Sequence, residues 1–396
     1  MDKNHWLLPE GIDEVVPPYA GHLEKIRRDL LDMYQLWGYD LVIPPFVEYL
    51  DSLLTGTGAD VDLKTFKLID QVSGRLMGIR ADMTTQVARI DAHHLENEAP
   101  TRLCYMGTVL HARPDGFGGT RAPLQIGAEL YGHSGYQSDV EVISLMLETF
   151  ARASVEKVSV DLGHVGIFRG LAADAKLDQR QEMQLFEALQ RKAVPEIKSL
   201  LESFSVDPKT ADKIAALSDL NGSDVLQQAR VVLAGSSQTV IDALDNIDNV
   251  ARAVKARYPD LPLHYDLAEL RGYNFHTGIV FSAYVPQSGV EVARGGRYDN
   301  IGGEFGRARP ATGFSTDLKI LTKYSSADAP NESGGIMVVC SEATEQDSLL
   351  HKTVAALRAQ GKRVVFHLPG QAGAASDLGC DQQLVPENGG WQVKPL

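Results

Sequence analysis

The chain has 396 residues, 44% hydrophobic and 23% charged, with a formal net charge of −14. That length exceeds one hydrophobic core, so two or three domains are expected, and the composition is that of an ordinary soluble globular protein. The acidic balance argues against a dominant nucleic-acid footprint, and no apolar run is long enough to span a membrane.

The N-terminus lacks the apolar core of a signal peptide, so a cytoplasmic location is expected. Cys104, Cys340 and Cys380 stand far apart, without disulfide or zinc spacing, and no metal is expected. Residues 19–37 place Leu23, Ile26, Leu30, Tyr34 and Trp37 at helical spacing. The strand signal DLVIPP follows, stopped by Pro44 and Pro45. FKLIDQVSGRLMGIR predicts a hairpin turning at Ser73–Gly74, and ADMTTQVARIDAHHL a helix capped by Asp82. Residues 108–132 predict strand, glycine-rich loop, strand, with Arg113 and Arg121 flanking the loop. DVEVISLMLETFARAS predicts a second long helix, and KVSVDLG a strand.

Residues 165–255 are polar and helix-rich, the signature of a helical insertion. Strand signals resume in LPLHYDLAEL, TGIVFSAYV and GVEVARGGRYDNIGG, and FSTDLKILTKY predicts a helix. Residues 325–335 have linker composition. Beyond them, IMVVC, EQDSLLHKTVAALRAQGK and RVVFHL spell one βαβ unit, and the last 30 residues show little more. The pattern predicts an α+β fold built on an antiparallel sheet, not a doubly wound nucleotide fold.

Four constellations concentrate chemistry. Asp82 and Thr84 stand where a strand gives way to a helix, although a helix cap accounts for both. Arg271, Tyr273 and His276 precede a strand, where an exposed turn is the plainer alternative. Gly295–Gly296 lets the backbone approach a ligand ahead of Arg297, Tyr298 and Asp299, or marks a hairpin bulge. Gln125 and Glu129, four apart on a strand, point to one face and need polar partners. Together they describe a pocket for a small zwitterion.

In this order, LRGYNFHTGIVF, ARGGRYDN and ATGFSTDLKIL behind the hairpin loop closely resemble the class II catalytic domain of histidyl-tRNA synthetase, over about residues 8–324. The resemblance implies histidine binding by Asp82, Thr84, Arg113, Gln125, Glu129, Arg271, Tyr273, His276 and Tyr298. It also exposes departures. Where the synthetases carry an α-phosphate arginine and, two residues on, an acid, this chain has Leu110 and Ala112. The adenine-stacking aromatic aligns with Pro123, and the γ-phosphate arginine with Ile320, beside Lys319. Preorganised cations of that kind are each typically worth about 10²–10³ in rate, so adenylation is expected to be lost.

A synthetase-like body (1–324, insertion about 165–255), a linker (325–335) and a truncated anticodon-binding-like module (336–396) resemble the regulatory subunit family of ATP phosphoribosyltransferase. That resemblance implies a non-catalytic chain without a cofactor of its own and with L-histidine as effector. It further implies a homodimer through the class II interface, within a hetero-octamer with a short-form catalytic subunit that uses ATP, phosphoribosyl pyrophosphate and Mg²⁺. Neither tRNA nor a membrane is expected as a partner. A synthetase-like enzyme that activates histidine or another carboxylate, or modifies tRNA, is the alternative.

Overall fold

Ile26, Leu30, Met33 and Tyr34 line one side of the helix Tyr19–Leu36 and enter the main core, at the spacing that brings helical side chains to one face. Leu30 is wholly buried, and removing a side chain of that kind from water contributes about 2 kcal/mol. The computed structural model describes residues 6–56, 59–95, 97–114, 120–286, 288–327 and 334–396. The chain falls into two units, residues 1–14 with 23–327, and residues 15–22 with 328–396.

In the first unit, β1 (Asp40–Leu41) is followed by a small antiparallel sheet in the order β2 (Val47–Tyr49), β4 (Leu76–Ile79), β3 (Phe66–Ile69). The β3–β4 turn passes through Ser73–Gly74, where the Asp70 carboxylate accepts the backbone N–H groups of Val72 and Ser73. The main sheet adds β5 (Thr101–Thr108), β6 (Leu124–Tyr131), β7 (Ser159–His164), β8 (Asn221–Gly222), β9 (Leu263–Asp266), β10 (Ile279–Val285), β11 (Val290–Arg297) and β12 (Ala311–Asp317). Its nine strands run β1-β5-β6-β12-β11-β10-β7-β9-β8. The β1–β5 and β7–β9 pairs are parallel and the other neighbours antiparallel.

The strand Ala311–Asp317 corrects the expectation of a helix beginning in FSTD; the helix starts only at Leu318. Ala311 to Phe314 and Thr316 are buried, as in a strand covered on both faces, and pairing with β6 and β11 on both sides overrides the weak local signal. The capped helix in ADMTTQ also starts slightly later, at Thr84, while Asp82 Oδ1 still accepts the Thr84 N–H at 2.6 Å.

Six α-helices between Val165 and Arg257 form the helix-rich segment. Their starts are chemically marked. Asp178 forms a capping box with Gln181, and Asp207 caps a helix opening with Pro208. Phe168, Leu171, Val240 and Ile247 join the main core.

In the second unit, β13 (Gly335–Val339) and β14 (Val364–His367) pair in parallel around the helix Ser348–Ala359. The last residues correct the expectation of little structure. β15 (Cys380–Glu387) and β16 (Gly390–Pro395) form an antiparallel hairpin through Asn388 and Gly389, with φ of 51° and 75°. Those left-handed values are what a tight hairpin turn requires, and Asn-Gly tolerates them. Asp347 caps the helix and accepts the Trp391 indole N–H at 2.9 Å, which ties β16 to the helix start.

Candidate ligand-binding cleft

The site lies on the face of the main sheet opposite the core. Along β6, Ile126, Ala128 and Leu130 enter the core, so Gln125, Gly127 and Glu129 alternate to the other side. The ladder sets Glu129 opposite Gly313 and Gln125 opposite Asp317; Gly313 in turn pairs with Gly296 on β11. A Cβ at 313 would overlap the Glu129 carboxylate, and one at 296 would press on the His276 ring. Glycine at these two positions leaves the sheet floor open for neighbouring side chains.

Glu129 is 1% exposed. Tyr105 Oη donates to its Oε1 at 2.9 Å, and Tyr298 Oη donates to its Oε2. The Thr84 and Tyr105 hydroxyls are 3.2 Å apart, and the Met83 N–H donates to Gln125 Oε1 at 3.0 Å. Phe275 stacks on Tyr298, ring centroids 4.8 Å apart. Burial outweighs the two tyrosine hydrogen bonds and pushes the Glu129 carboxyl up to about 8, with the nearby Asp82 charge acting in the same direction. Burial holds His276 down at about 4, so its ring is neutral near pH 7. A buried carboxyl braced by two phenols can accept an N–H from a small cationic or imidazole-bearing ligand.

Behind the floor, Arg297 fixes the strand that carries Tyr298. Its Nη2 lies 2.9 Å from Asp139, and its guanidinium donates to the carbonyls of His133 and Gly135. Asp299 accepts the Ala311 N–H and the Thr277 hydroxyl, each at 3.0 Å. Tyr298 is therefore held from both sides.

A cleft of about 360 Å³ runs along this face, lined among others by Asp82, Gln125, Glu291, Arg294, Asp317 and Ile320. Pro123 also lines it. Leu110 and Ala112 sit in the loop backbone, their N–H groups bonded to the carbonyls of Arg80 and Lys64. Three cations in and around the cleft are met by acids. Lys319 Nζ is 3.1 Å from Asp13, Arg294 is 2.6 Å from Glu291, and Arg271 lies 2.7 Å from Glu269 and 2.6 Å from Glu291. Asp317 Oδ1 accepts the N–H groups of Leu124 and Lys319, while its buried Oδ2 has no hydrogen-bond partner among the described residues. Burial pushes this carboxyl up to about 6.

Of the residues singled out in the sequence, Asp82 and Gln125 line the cleft, while Thr84, Glu129 and Tyr298 join through Tyr105 in a buried hydrogen-bonded group. Arg113 is exposed beside residues 115–119, which lie outside the described residues, and is not part of the cleft lining. Arg271 is occupied by its two glutamates. Tyr273 corrects its expected place in the pocket: it stacks on Phe186 at 5.2 Å, lies 5.5 Å from Phe168, and donates to Glu182. The apolar bed and the carboxylate of the helical segment together satisfy both ends of that tyrosine. Sequence reasoning missed Tyr105, Glu291 and Asp317. Hairpin pairing of β5 with β6 is the signal for Tyr105, whose ladder partner is Gly127.

The histidyl-tRNA synthetase profile matches residues 11–321, and that of the C-terminal domain of the ATP phosphoribosyltransferase subunit HisZ matches residues 334–394. Curated proteins of Thioalkalivibrio sulfidiphilus and Alkalilimnicola ehrlichii, both named ATP phosphoribosyltransferase regulatory subunit, are each 56% identical to the chain. The alignments cover 98% and 99% of this chain and 97% and 98% of those proteins. The chain belongs to the ATP phosphoribosyltransferase regulatory subunit family. A Bacillus halodurans structure described as an ATP phosphoribosyltransferase regulatory subunit/histidyl-tRNA synthetase superposes with a TM-score of 0.84 at 25% identity, covering 96% of this chain and 97% of that one. Histidyl-tRNA synthetase from Nostoc shares the fold, with a TM-score of 0.77 at 18% identity over 96% of this chain and 91% of that one. The family therefore carries a class II synthetase fold with a small α/β domain at its C-terminal end. Among the described residues, no helix is long and apolar enough to cross a membrane.

Proposed function

We propose that this chain is the non-catalytic regulatory subunit of ATP phosphoribosyltransferase. It activates a short-form catalytic subunit in the first step of L-histidine biosynthesis and carries feedback inhibition by L-histidine, bound beside Glu129. The observation that carries the reading is an asymmetry between the buried polar group around Glu129 and the cations beside the neighbouring cleft. Glu129 is braced by Tyr105 and Tyr298 next to Asp82 and Gln125, while Arg271, Arg294 and Lys319 are each neutralised by carboxylates. An amino acid with an imidazole N–H suits the first half. Adenylation needs phosphate charge met by preorganised donors, and the second half offers paired cations and the acid Asp317 instead.

On this reading the chain needs no cofactor or metal, and ATP, phosphoribosyl pyrophosphate and Mg²⁺ belong to the partner. The assembly is a cytoplasmic hetero-octamer in which this chain dimerises through the class II interface around residues 19–45, without tRNA. Feedback requires histidine to bind two states of the complex unequally; a coupling of about 1–3 kcal/mol suffices. The test is an assay of the catalytic subunit with and without this chain, at increasing L-histidine. Activation by the chain, reversed by histidine, is expected; equal rates with and without it end the reading.

A further inference from the structure

Glu129, Tyr105 and Tyr298 are each no more than 2% exposed, and none of them lines the cleft. A ligand therefore meets the Glu129 carboxylate only after something that covers it has moved.

The segment from Gly272 to Thr277 is that cover. Cross-strand partners turn their side chains to one face, and Glu129, Gly313 and Gly296 are successive ladder partners on β6, β12 and β11. The Glu129 carboxylate takes the space above Gly313. The His276 ring takes the space above Gly296, where a Cβ would come within 2.9 Å of it. Phe275, the preceding residue, stacks on Tyr298, whose hydroxyl holds one Glu129 oxygen. Both rings thus lie on the face from which a ligand would approach.

The start of the same segment is fastened elsewhere. The Tyr273 ring stacks on Phe186 and packs near Phe168. Its hydroxyl donates to Glu182 on the helix Gln179–Gln190, and its carbonyl accepts from Arg169 on the helix Val165–Asp174. Only Asn274 separates Tyr273 from Phe275, so a backbone movement that lifts Phe275 and His276 pulls on Tyr273.

We propose that this segment is a gate over the Glu129 group and that Tyr273 is its latch, seated in the helical segment. The gate opens when Tyr273 leaves its seat and closes again behind the ligand. The latch contacts are then the same in the free and the bound chain, so they set the barrier to entry and exit and not the affinity. Control of access lies on helices that never touch the ligand.

Tyr273→Phe keeps the ring in its apolar seat and removes only the bond to Glu182. The N–H groups of Phe275, His276 and Thr277 are bonded to the carbonyls of Gly272 and Arg297, so their hydrogen exchange reports opening. In the ligand-free full chain their exchange is expected to quicken about tenfold, the scale of one hydrogen bond to a charged group, while β6 stays within about twofold. Stopped-flow mixing with L-histidine is expected to show association and dissociation both about tenfold faster, with Kd within about twofold. Glu182→Gln, which weakens the same bond from the helix, is expected to act in the same direction. Unchanged exchange at residues 275–277 overturns the gate, and so does faster exchange with an unchanged association rate. The stopped-flow arm rests on the histidine reading above and the exchange arm does not. A wild-type chain that binds no histidine ends that reading, while the ligand-free exchange still decides the latch.

Discussion

Gly313 is the ladder partner of Glu129, and the Glu129 carboxylate lies in the space that a side chain at 313 would take. The acid reaches Tyr298 only because position 313 has no Cβ. Gly313→Ala should therefore push the carboxylate off its tyrosines. We expect histidine affinity to fall by more than about tenfold and stability to drop by about 1–3 kcal/mol, the usual cost of overpacking. Calorimetry and urea unfolding check this, with Gly303→Ala as a control, since a Cβ there meets Ala308 at an ordinary 3.5 Å.

Glu129→Ala removes the acceptor itself. Histidine binding should weaken by about 1–2 kcal/mol, as for a lost buried hydrogen bond, and feedback inhibition of the mixed complex should be relieved while activation persists. Unchanged affinity in calorimetry would move the effector elsewhere.

The free protein should lose stability as pH rises because of this residue. Glu129 has an ordinary value of 4.5 and is pushed up to about 8 in the fold. Between those values the native chain keeps a proton that the unfolded chain has released, so the stability is fully present below about 4.5 and is lost as pH climbs through about 8. Thermal melts from pH 5 to 8 should show this decline, and Glu129→Gln should flatten it.

Asp139 and Arg297 form a buried pair, with 0% and 8% of their side chains exposed. Asp139→Ala leaves the buried arginine with Asp299 alone, 3.2 Å from its Nη1, and should cost about 3 kcal/mol in urea unfolding. Replacing both residues with apolar ones should recover much of that loss.

Histidine-dependent exchange of pyrophosphate into ATP should be undetectable, and Ile320→Arg alone should not restore it. A new guanidinium at 320 would stand near Asp317, whose Oδ2 is buried without a partner, and would be drawn to that carboxylate in place of a phosphate. Measurable exchange by that variant would contradict the electrostatic account of the cleft.

Much of this site was legible in the sequence, because Gln125 and Glu129 share one strand face and RGGRYDN marks the adjoining strand. What escaped depended on pairing. Tyr105 belongs to the site through its register with Gly127, and Glu291 through a bulge that no local pattern announces. Tyr273 was misplaced because its partners, Phe168, Phe186 and Glu182, lie far away in the chain. The strand Ala311–Asp317 carries small polar residues whose conformation is decided by neighbours on both sides. The C-terminal hairpin is a different kind of miss: Asn388–Gly389 is a strong turn signal, flanked by strands too polar to attract notice.

The pairing of Lys319 with Asp13 and of Arg294 with Glu291 also bears on reversibility. With Arg294 and Lys319 already matched by acids, the surroundings of the cleft would have to shed carboxylates before a regained arginine could serve a nucleotide. On the proposed reading, each such internal neutralisation lengthens the way back to nucleotide chemistry.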